Sequence, residues 1–335
     1  MSPDWTDAAD RILACSLFGT DDRTAAEAAI LAWAARQGLA PSHVDAIELG
    51  VGAVATVRRA EGTRIVVKLW PPGADHVALA GQIALQSAMA RRGYPAPAPL
   101  TGLSELGAGW AVAMAYERSG DPTDTRLPGV RRTMAAGLVH FLAEAQAAGI
   151  PPGLPIWRPP PEPELWPTPH NALFDLAGSG RGAEWIDELA RPALATMRAA
   201  AGPLVAGHRD WSAKNMRVGL QGIAVLYDWD AVFLDRETLL VGLAAASFSV
   251  SWELGDPVVP TAADVEGFVR DYEAARVTAF TSVELGEVEA AVTYLRAYTA
   301  RCEHAVDGAG AHWSGSFREL LQKEQVLTLD RRRDA

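Results

Sequence analysis

The chain has 335 residues, 49% of them hydrophobic, and a formal net charge of −11; this is enough for a sizeable core in two domains or one bilobal unit, and it argues against a nucleic-acid partner. No apolar stretch reaches the ~20 residues of a membrane helix, since the best candidate, Leu239 to Trp252, is broken by Gly242 and three serines. Cys15 and Cys302 are too few and too distant for a disulfide framework or metal cluster, and Asp4, Asp7 and Asp10 stand where a secretory signal carries positive charge, so a cytoplasmic protein without a membrane partner is expected.

A short helix is predicted around Trp5–Phe18. A second spans 20–38, capped by Thr20, with Asp21 and Asp22 in its first turn and Gly38 at its end. The period then changes. Val44 to Gly50, Val54 to Arg59 and Arg64 to Trp70 read as three short strands, with a tight turn at Glu61-Gly62. A helix from His76 to Arg92 is stopped by Gly93 and Pro95. Strands are expected near Leu100 and at Trp110–Tyr116, and Ser119-Gly120-Asp121-Pro122 is a polar break. Residues 129–149 form an amphipathic helix. Nine prolines crowd 150–169, a long loop of the kind that is usually functional or a linker. Helix resumes over 182–200, two short strands flank a turn at Gly219–Gly222, and Glu237 to Leu327 is helical, with Asp235 as a helix cap. No internal repeat is present.

The strongest chemical signal is His208-Arg209-Asp210-Trp211-Ser212-Ala213-Lys214-Asn215, followed by Tyr227-Asp228-Trp229-Asp230 at the end of an apolar strand. Phosphoryl transfer asks for positioning more than covalent chemistry. It needs one carboxylate to orient a hydroxyl and take its proton, and hard oxygen ligands to hold Mg²⁺ against the phosphates. An Asp, an Asn five residues on, and a second Asp at a strand end supply that set. The loop Leu49-Gly50-Val51-Gly52-Ala53, between the first two strands, offers backbone N–H groups of Gly50 and Gly52 to phosphates. Lysine occurs three times, at Lys68, Lys214 and Lys323, against 27 arginines, so each lysine carries more information than usual.

His208-Arg209-Asp210 with Asn215 resembles the H-x-D-x-x-x-x-N catalytic loop of protein kinases and aminoglycoside phosphotransferases, and Tyr227-Asp228-Trp229-Asp230 resembles the metal-binding segment of the latter. The resemblance, to the aminoglycoside phosphotransferase and choline kinase-like family, covers roughly 44–305 and is specific at these two motifs. It implies an α+β, bilobal protein-kinase-like fold. N-terminal helices (1–43) would precede an antiparallel-sheet nucleotide-binding lobe (44–118) and a mainly helical lobe (119–335), with nucleotide between the lobes. It implies Asp210 as catalytic base, Asn215 and Asp228 as Mg²⁺ ligands, and ATP or GTP as phosphoryl donor. Lys68 would contact the α- and β-phosphates. Met114 would lie at the back of the adenine pocket, with Ala115 and Glu117 offering backbone hydrogen bonds to the base.

The sequence departs from the family pattern. The helix 76–92 has no glutamate to pair with Lys68, only Gln82 and Gln86, and Ser212 stands where many relatives carry His. Lys214 is also unusual; it reaches the γ-phosphate or the acceptor, or is a solvated loop lysine. Residues 253–307 hold 4 basic and 11 acidic residues, a net of −7. Acidic walls suit a cationic acceptor such as an aminoglycoside or amino sugar, and Asp230, Glu253 and Glu303 are the candidate contacts. The alternatives are a metabolite kinase of the choline kinase-like type and a nucleotide-binding protein without kinase activity. The tryptophans read as mostly core, with Trp211, Trp229 and Trp252 near the site, and His140 reads as a core or interface residue.

Overall fold

A computed structural model describes residues 5, 8–169, 174–251, 259–308, 315–324 and 327–329. The chain divides into two compact units. The first runs to Arg118 and includes Pro151–Leu154.

The first unit opens with helices α1 (Ala8–Phe18) and α2 (Arg23–Arg36). The cap of α2 is Asp22, which accepts the Thr24 and Ala25 amides at 2.9 and 3.4 Å. Thr20, expected in that role, instead accepts the Asp22 amide at 3.0 Å. Strands β1 (Pro41–Leu49), β2 (Ala53–Arg59) and β3 (Arg64–Trp70) are followed by helix α3 (His76–Arg91) and strands β4 (Ser104–Leu106) and β5 (Gly109–Ala115). They form one antiparallel sheet in the order β1-β2-β3-β5-β4. Successive side chains alternate across it. One face buries Ala55, Val57, Val67, Leu69 and Ala113 against Leu17, Ile30 and Trp33 of α1 and α2. The N-terminal helices therefore share a core with the sheet and do not stand apart from it. The other face carries Trp70, Val112 and Met114 under Leu79 and Ile83 of α3.

The second unit holds a two-residue strand β6 (Asp121–Pro122), helices α4 (Val130–Ala148) and α5 (Glu184–Ala199), and strands β7 (Leu204–His208), β8 (Met216–Gly219), β9 (Gly222–Leu226) and β10 (Val232–Arg236). Helices α6 (Glu237–Ser247), α7 (Ala262–Arg276), α8 (Ser282–Asp307) and α9 (Phe317–Lys323) complete it. The sequence reading anticipated β8 and β9 but not β7 and β10, which pair antiparallel with each other. Helix α6 is buried from its second residue, Thr238, to its end; with α5, α8 and α9 it forms a helical core around Leu194, Leu243, Tyr294 and Phe317. Capping boxes at Thr261/Asp264 and Thr281/Glu284 start α7 and α8.

The proline-rich segment is held by specific bonds. Trp157 N–H donates to Leu234 O at 3.0 Å, and Leu234 N–H to Pro155 O at 2.8 Å, a short parallel extension at β10. Arg198 then donates to the Pro160 and Glu164 carbonyls, and Tyr294 Oη to Leu165 O. Proline lacks an N–H, so side chains of α5 and α8 do the holding that a ladder would otherwise do. Among the described residues no helix is long and apolar enough to cross a membrane.

Candidate active site

The loop after β7 is tied at every residue that matters. His208 is buried at 1% exposure. Its Nε2 faces the Tyr227 carbonyl at 3.0 Å and its Nδ1 accepts the Asp210 amide at 3.2 Å. A carbonyl only accepts, so Nε2 carries the proton and Nδ1 is the acceptor. The neutral ring thus links the start of the loop to the end of β9. Asp210 follows, half-buried. Ser212 Oγ donates to its Oδ1 at 3.1 Å and Lys214 Nζ lies 2.9 Å from its Oδ2. Trp211 packs against Phe141 and is fully buried, and Trp229 is also core. Both are core, as expected for most of the tryptophans, and each directly follows a candidate site residue, Asp210 or Asp228.

Asn215 ends a 3₁₀ turn (Ala213–Asn215) and donates from Nδ2 to Asp210 O at 2.9 Å. That bond orients the amide and reserves its Oδ1 for another partner. Tyr227 N–H donates to Asn215 O at 2.7 Å, continuing the β8–β9 pairing by one residue. The pairing brings the two motifs together, so that Asp228 follows immediately beside Asn215. Asp228 is in the left-handed region, φ 60° and ψ 47°, which is uncommon outside glycine and most tolerable for Asp and Asn. It caps the next 3₁₀ turn, Trp229–Ala231, through Ala231 N–H to Asp228 O at 3.0 Å. An amide oxygen and a carboxylate are hard donors of the kind Mg²⁺ takes. Among the described residues no group of three or more His, Cys, Asp or Glu gathers.

Arg209, unassigned by the sequence reading, pairs through Nη1 with Asp235, whose side chain is fully buried. Its guanidinium lies 3.8 Å over the Trp157 ring, so the proline-rich segment packs on the residue before Asp210. Burial pulls the Arg209 pKa down. Asp235 is not the helix cap expected. It lies on β10, and its other oxygen accepts the Arg236 amide at 2.8 Å.

In the first unit, Lys68 sits on β3 opposite Val112, on the strand face that carries Met114, with Nζ 5.6 Å from the centre of the Trp70 ring. Gly50 N–H donates to Gly52 O at 2.8 Å, closing the turn between β1 and β2. A Cβ on Gly52 would stand 2.2 Å from Leu69 O, whereas one on Gly50 meets nothing nearer than 3.9 Å. Only Gly52 is required by packing. Ala115 N–H is spent on Ala98 O at 2.9 Å, so any bond from Ala115 to a base uses its carbonyl. Glu117 is half-buried just past β5. Gln82 and Gln86 are both buried. Gln86 Nε2 donates to Pro97 O at 2.6 Å and approaches Met114 Sδ at 3.6 Å. An ionised glutamate accepts only and could not make the Pro97 bond, which is a reason for glutamine here.

The acidic residues of the late helices have other employment. Glu303, a candidate acceptor contact, receives the Phe317 and Arg318 amides at 3.0 and 2.8 Å. It docks the N-terminus of α9, where a carboxylate is favourable. Burial raises its pKa and those two amides oppose the rise. Glu287 binds Thr238 Oγ1 and the Ala201 amide, Glu289 the Leu329 amide, Glu273 the Phe280 amide, and Asp271 pairs with Arg131. Four of the acidic residues in 253–307 thus hold backbone amides outside their own helices. Asp230 is half-buried in the turn after Asp228, and Glu253 and Trp252 lie outside the described residues. His140, expected in a core or interface, is exposed.

Comparison with known proteins agrees with this geometry. The model of a family described as the phosphotransferase enzyme family matches residues 45–279. Among solved structures, the amicoumacin kinase hAmiN in complex with AMP-PNP, Ca²⁺ and Ami aligns at TM-score 0.58 and 10% identity, over 89% of this chain and 95% of that one. Spectinomycin phosphotransferase APH(9)-Ia, in complex with ADP and spectinomycin, aligns at 0.54 and 13%, over 84% and 86%. The apoenzyme of macrolide 2'-phosphotransferase MphH from Brachybacterium faecium aligns at 0.50 and 16%, over 85% and 99%. At these identities the likeness establishes the fold. A search of curated proteins finds no match.

Proposed function

The chain belongs to the phosphotransferase enzyme family, and from that premise we propose that it moves the γ-phosphoryl group of ATP onto a hydroxyl of a small-molecule acceptor. One observation carries this reading: the β8–β9 pairing and the Tyr227–Asn215 bond set Asp228 beside Asn215, while Asn215 itself is bonded to Asp210. In this reading Asp210 orients the acceptor hydroxyl and takes its proton. Asn215 Oδ1 and the Asp228 carboxylate hold Mg²⁺, which when bound neutralises charge on the phosphates. Lys68 contacts the α- and β-phosphates, and the turn that Gly50 closes covers them with the backbone N–H of Gly52. Met114 backs the adenine, read by the Ala115 carbonyl and the Glu117 amide.

The test is Asp210→Asn. Removing the base should cost on the order of 10²–10⁴ in turnover and leave nucleotide affinity unchanged. Retention of more than about half the activity would remove Asp210 from the role.

For the acceptor we propose a cationic hydroxyl compound, an aminoglycoside or amino sugar. The support is now narrower than the charge of the late helices and rests on Asp230, two residues past Asp228. An ATP-consumption screen across aminoglycosides, amino sugars, choline and nucleosides tests it. Turnover with choline or nucleosides alone would refute the acceptor class and leave the kinase reading in place.

A further inference from the structure

Lys214 stands four residues after Asp210 in a protein with three lysines. It is on a three-residue 3₁₀ turn, not an α-helix, so its ion pair is no by-product of helical spacing. Its backbone is pinned: Ala213 N–H donates to Phe248 O at 2.9 Å and Lys214 N–H to Val250 O at 2.8 Å. The side chain then turns to place Nζ 2.9 Å from Asp210 Oδ2, while Ser212 holds Oδ1. With the two side chains 23% and 31% exposed, the pair contributes little to stability. Its position is more informative. A hydroxyl oxygen that donates to the Asp210 carboxylate at Oδ2 lies about 2.7 Å from it, hence within about 6 Å of Lys214 Nζ, and the phosphorus it attacks becomes bonded to that same oxygen in the transfer.

Resting on the kinase reading above, we propose that Lys214 is a catalytic residue whose ammonium bridges the Asp210 carboxylate and the oxygens of the phosphoryl group in transfer. In the step, a bond forms between the acceptor oxygen and the γ-phosphorus. The bond from that phosphorus to the β,γ-bridging oxygen breaks, and its electron pair leaves with the nucleoside diphosphate. The hydroxyl proton passes to Asp210. As Asp210 is neutralised, negative charge gathers on the phosphoryl oxygens, and an ammonium with three donors follows it without moving its backbone. The interaction strengthens in the transition state, which is the condition for raising kcat.

The experiment needs no acceptor. Full-length wild type, Lys214→Ala, Lys214→Met and Lys214→Arg are compared for binding of MgADP, binding of MgADP with aluminium fluoride, and single-turnover transfer from MgATP to water. Both neutral variants should bind MgADP like the wild type. They should lose roughly ten- to a hundredfold in aluminium fluoride-dependent affinity and in turnover, the share of one charge-assisted hydrogen bond. Lys214→Arg should keep most of both. Unchanged aluminium fluoride binding in Lys214→Ala and Lys214→Met overturns the inference while the kinase reading stands. Equal losses in MgADP and MgADP–fluoride affinity also overturn it, since Lys214 would then only hold the loop. A wild type that neither binds MgADP nor turns over MgATP overturns the inference together with the kinase reading.

Discussion

Asp235→Ala is the perturbation whose size the structure sets most directly. The Asp235 side chain is fully buried, and its two oxygens serve Arg209 Nη1 and the Arg236 amide. Arg209 is itself 14% exposed and stacked over Trp157. Deleting the carboxylate leaves a guanidinium in the interior with an aromatic face for company. Breaking one side of a buried pair costs about 3–5 kcal/mol. The Trp157 face contributes about 2 kcal/mol, and it is already counted in the wild type. Against a typical total of about 5–15 kcal/mol, the variant should lose about a fifth or more of its stability. Equilibrium urea denaturation of the full chain measures this. The paired variant Arg209→Leu with Asp235→Leu removes both charges and should lie closer to the wild type than Asp235→Ala alone, because no charge is stranded. Turnover should fall in Asp235→Ala as well, since Arg209 precedes Asp210 and its own amide is bonded to Ala231 O at 2.9 Å. A loss under about 1 kcal/mol, or a double variant no better than the single, would refute the argument.

Asp228→Ala should abolish the Mg²⁺-dependent part of ATP binding, and Asn215→Ala should weaken it; calorimetry with and without Mg²⁺ reads both, and equal ATP affinity in Asp228→Ala and wild type would exclude Asp228 as a ligand. Gly52→Ala should destabilise the first unit by about 1–3 kcal/mol and weaken nucleotide binding, because its Cβ meets the Leu69 carbonyl. Gly50→Ala should leave the fold intact, and matching melting temperatures for the two variants would contradict this. Glu303→Ala should cost about 1–3 kcal/mol in stability through the freed amides at the start of α9. It should leave the KM for any acceptor found in the screen unchanged, whereas a raised KM would return Glu303 to the acceptor site.

The hairpins and helices of the first unit were legible because composition and punctuation agree: a β-branched apolar run in Ile65-Val66-Val67-Lys68-Leu69, a turn at Glu61-Gly62, a helix stopped by Gly93. The paired motifs at 208–215 and 227–230 were legible because phosphoryl transfer needs few residue types at fixed spacing. Strands β7 and β10 were not legible. They are five residues each and take their stability from each other and from helices distant in sequence, which no local pattern records. Cap choice failed for a similar reason: Thr20 and Asp22 are both good caps, and only the backbone geometry decides between them.

Taken alone, the sequence determined the two motifs, at 208–215 and 227–230, on which the proposed chemistry rests, since composition and spacing are local properties. What each charge is for was decided by the tertiary structure. The late helices read as an acidic wall, yet Glu287, Glu289 and Glu303 each receive a backbone amide from a segment 14 to 86 residues away. Arg209 and Asp235 are 26 residues apart and meet in the interior. A buried polar group must find a partner or pay its desolvation in full; where that partner lies is fixed by the packing of distant elements, and a count of charges along the chain holds no record of it.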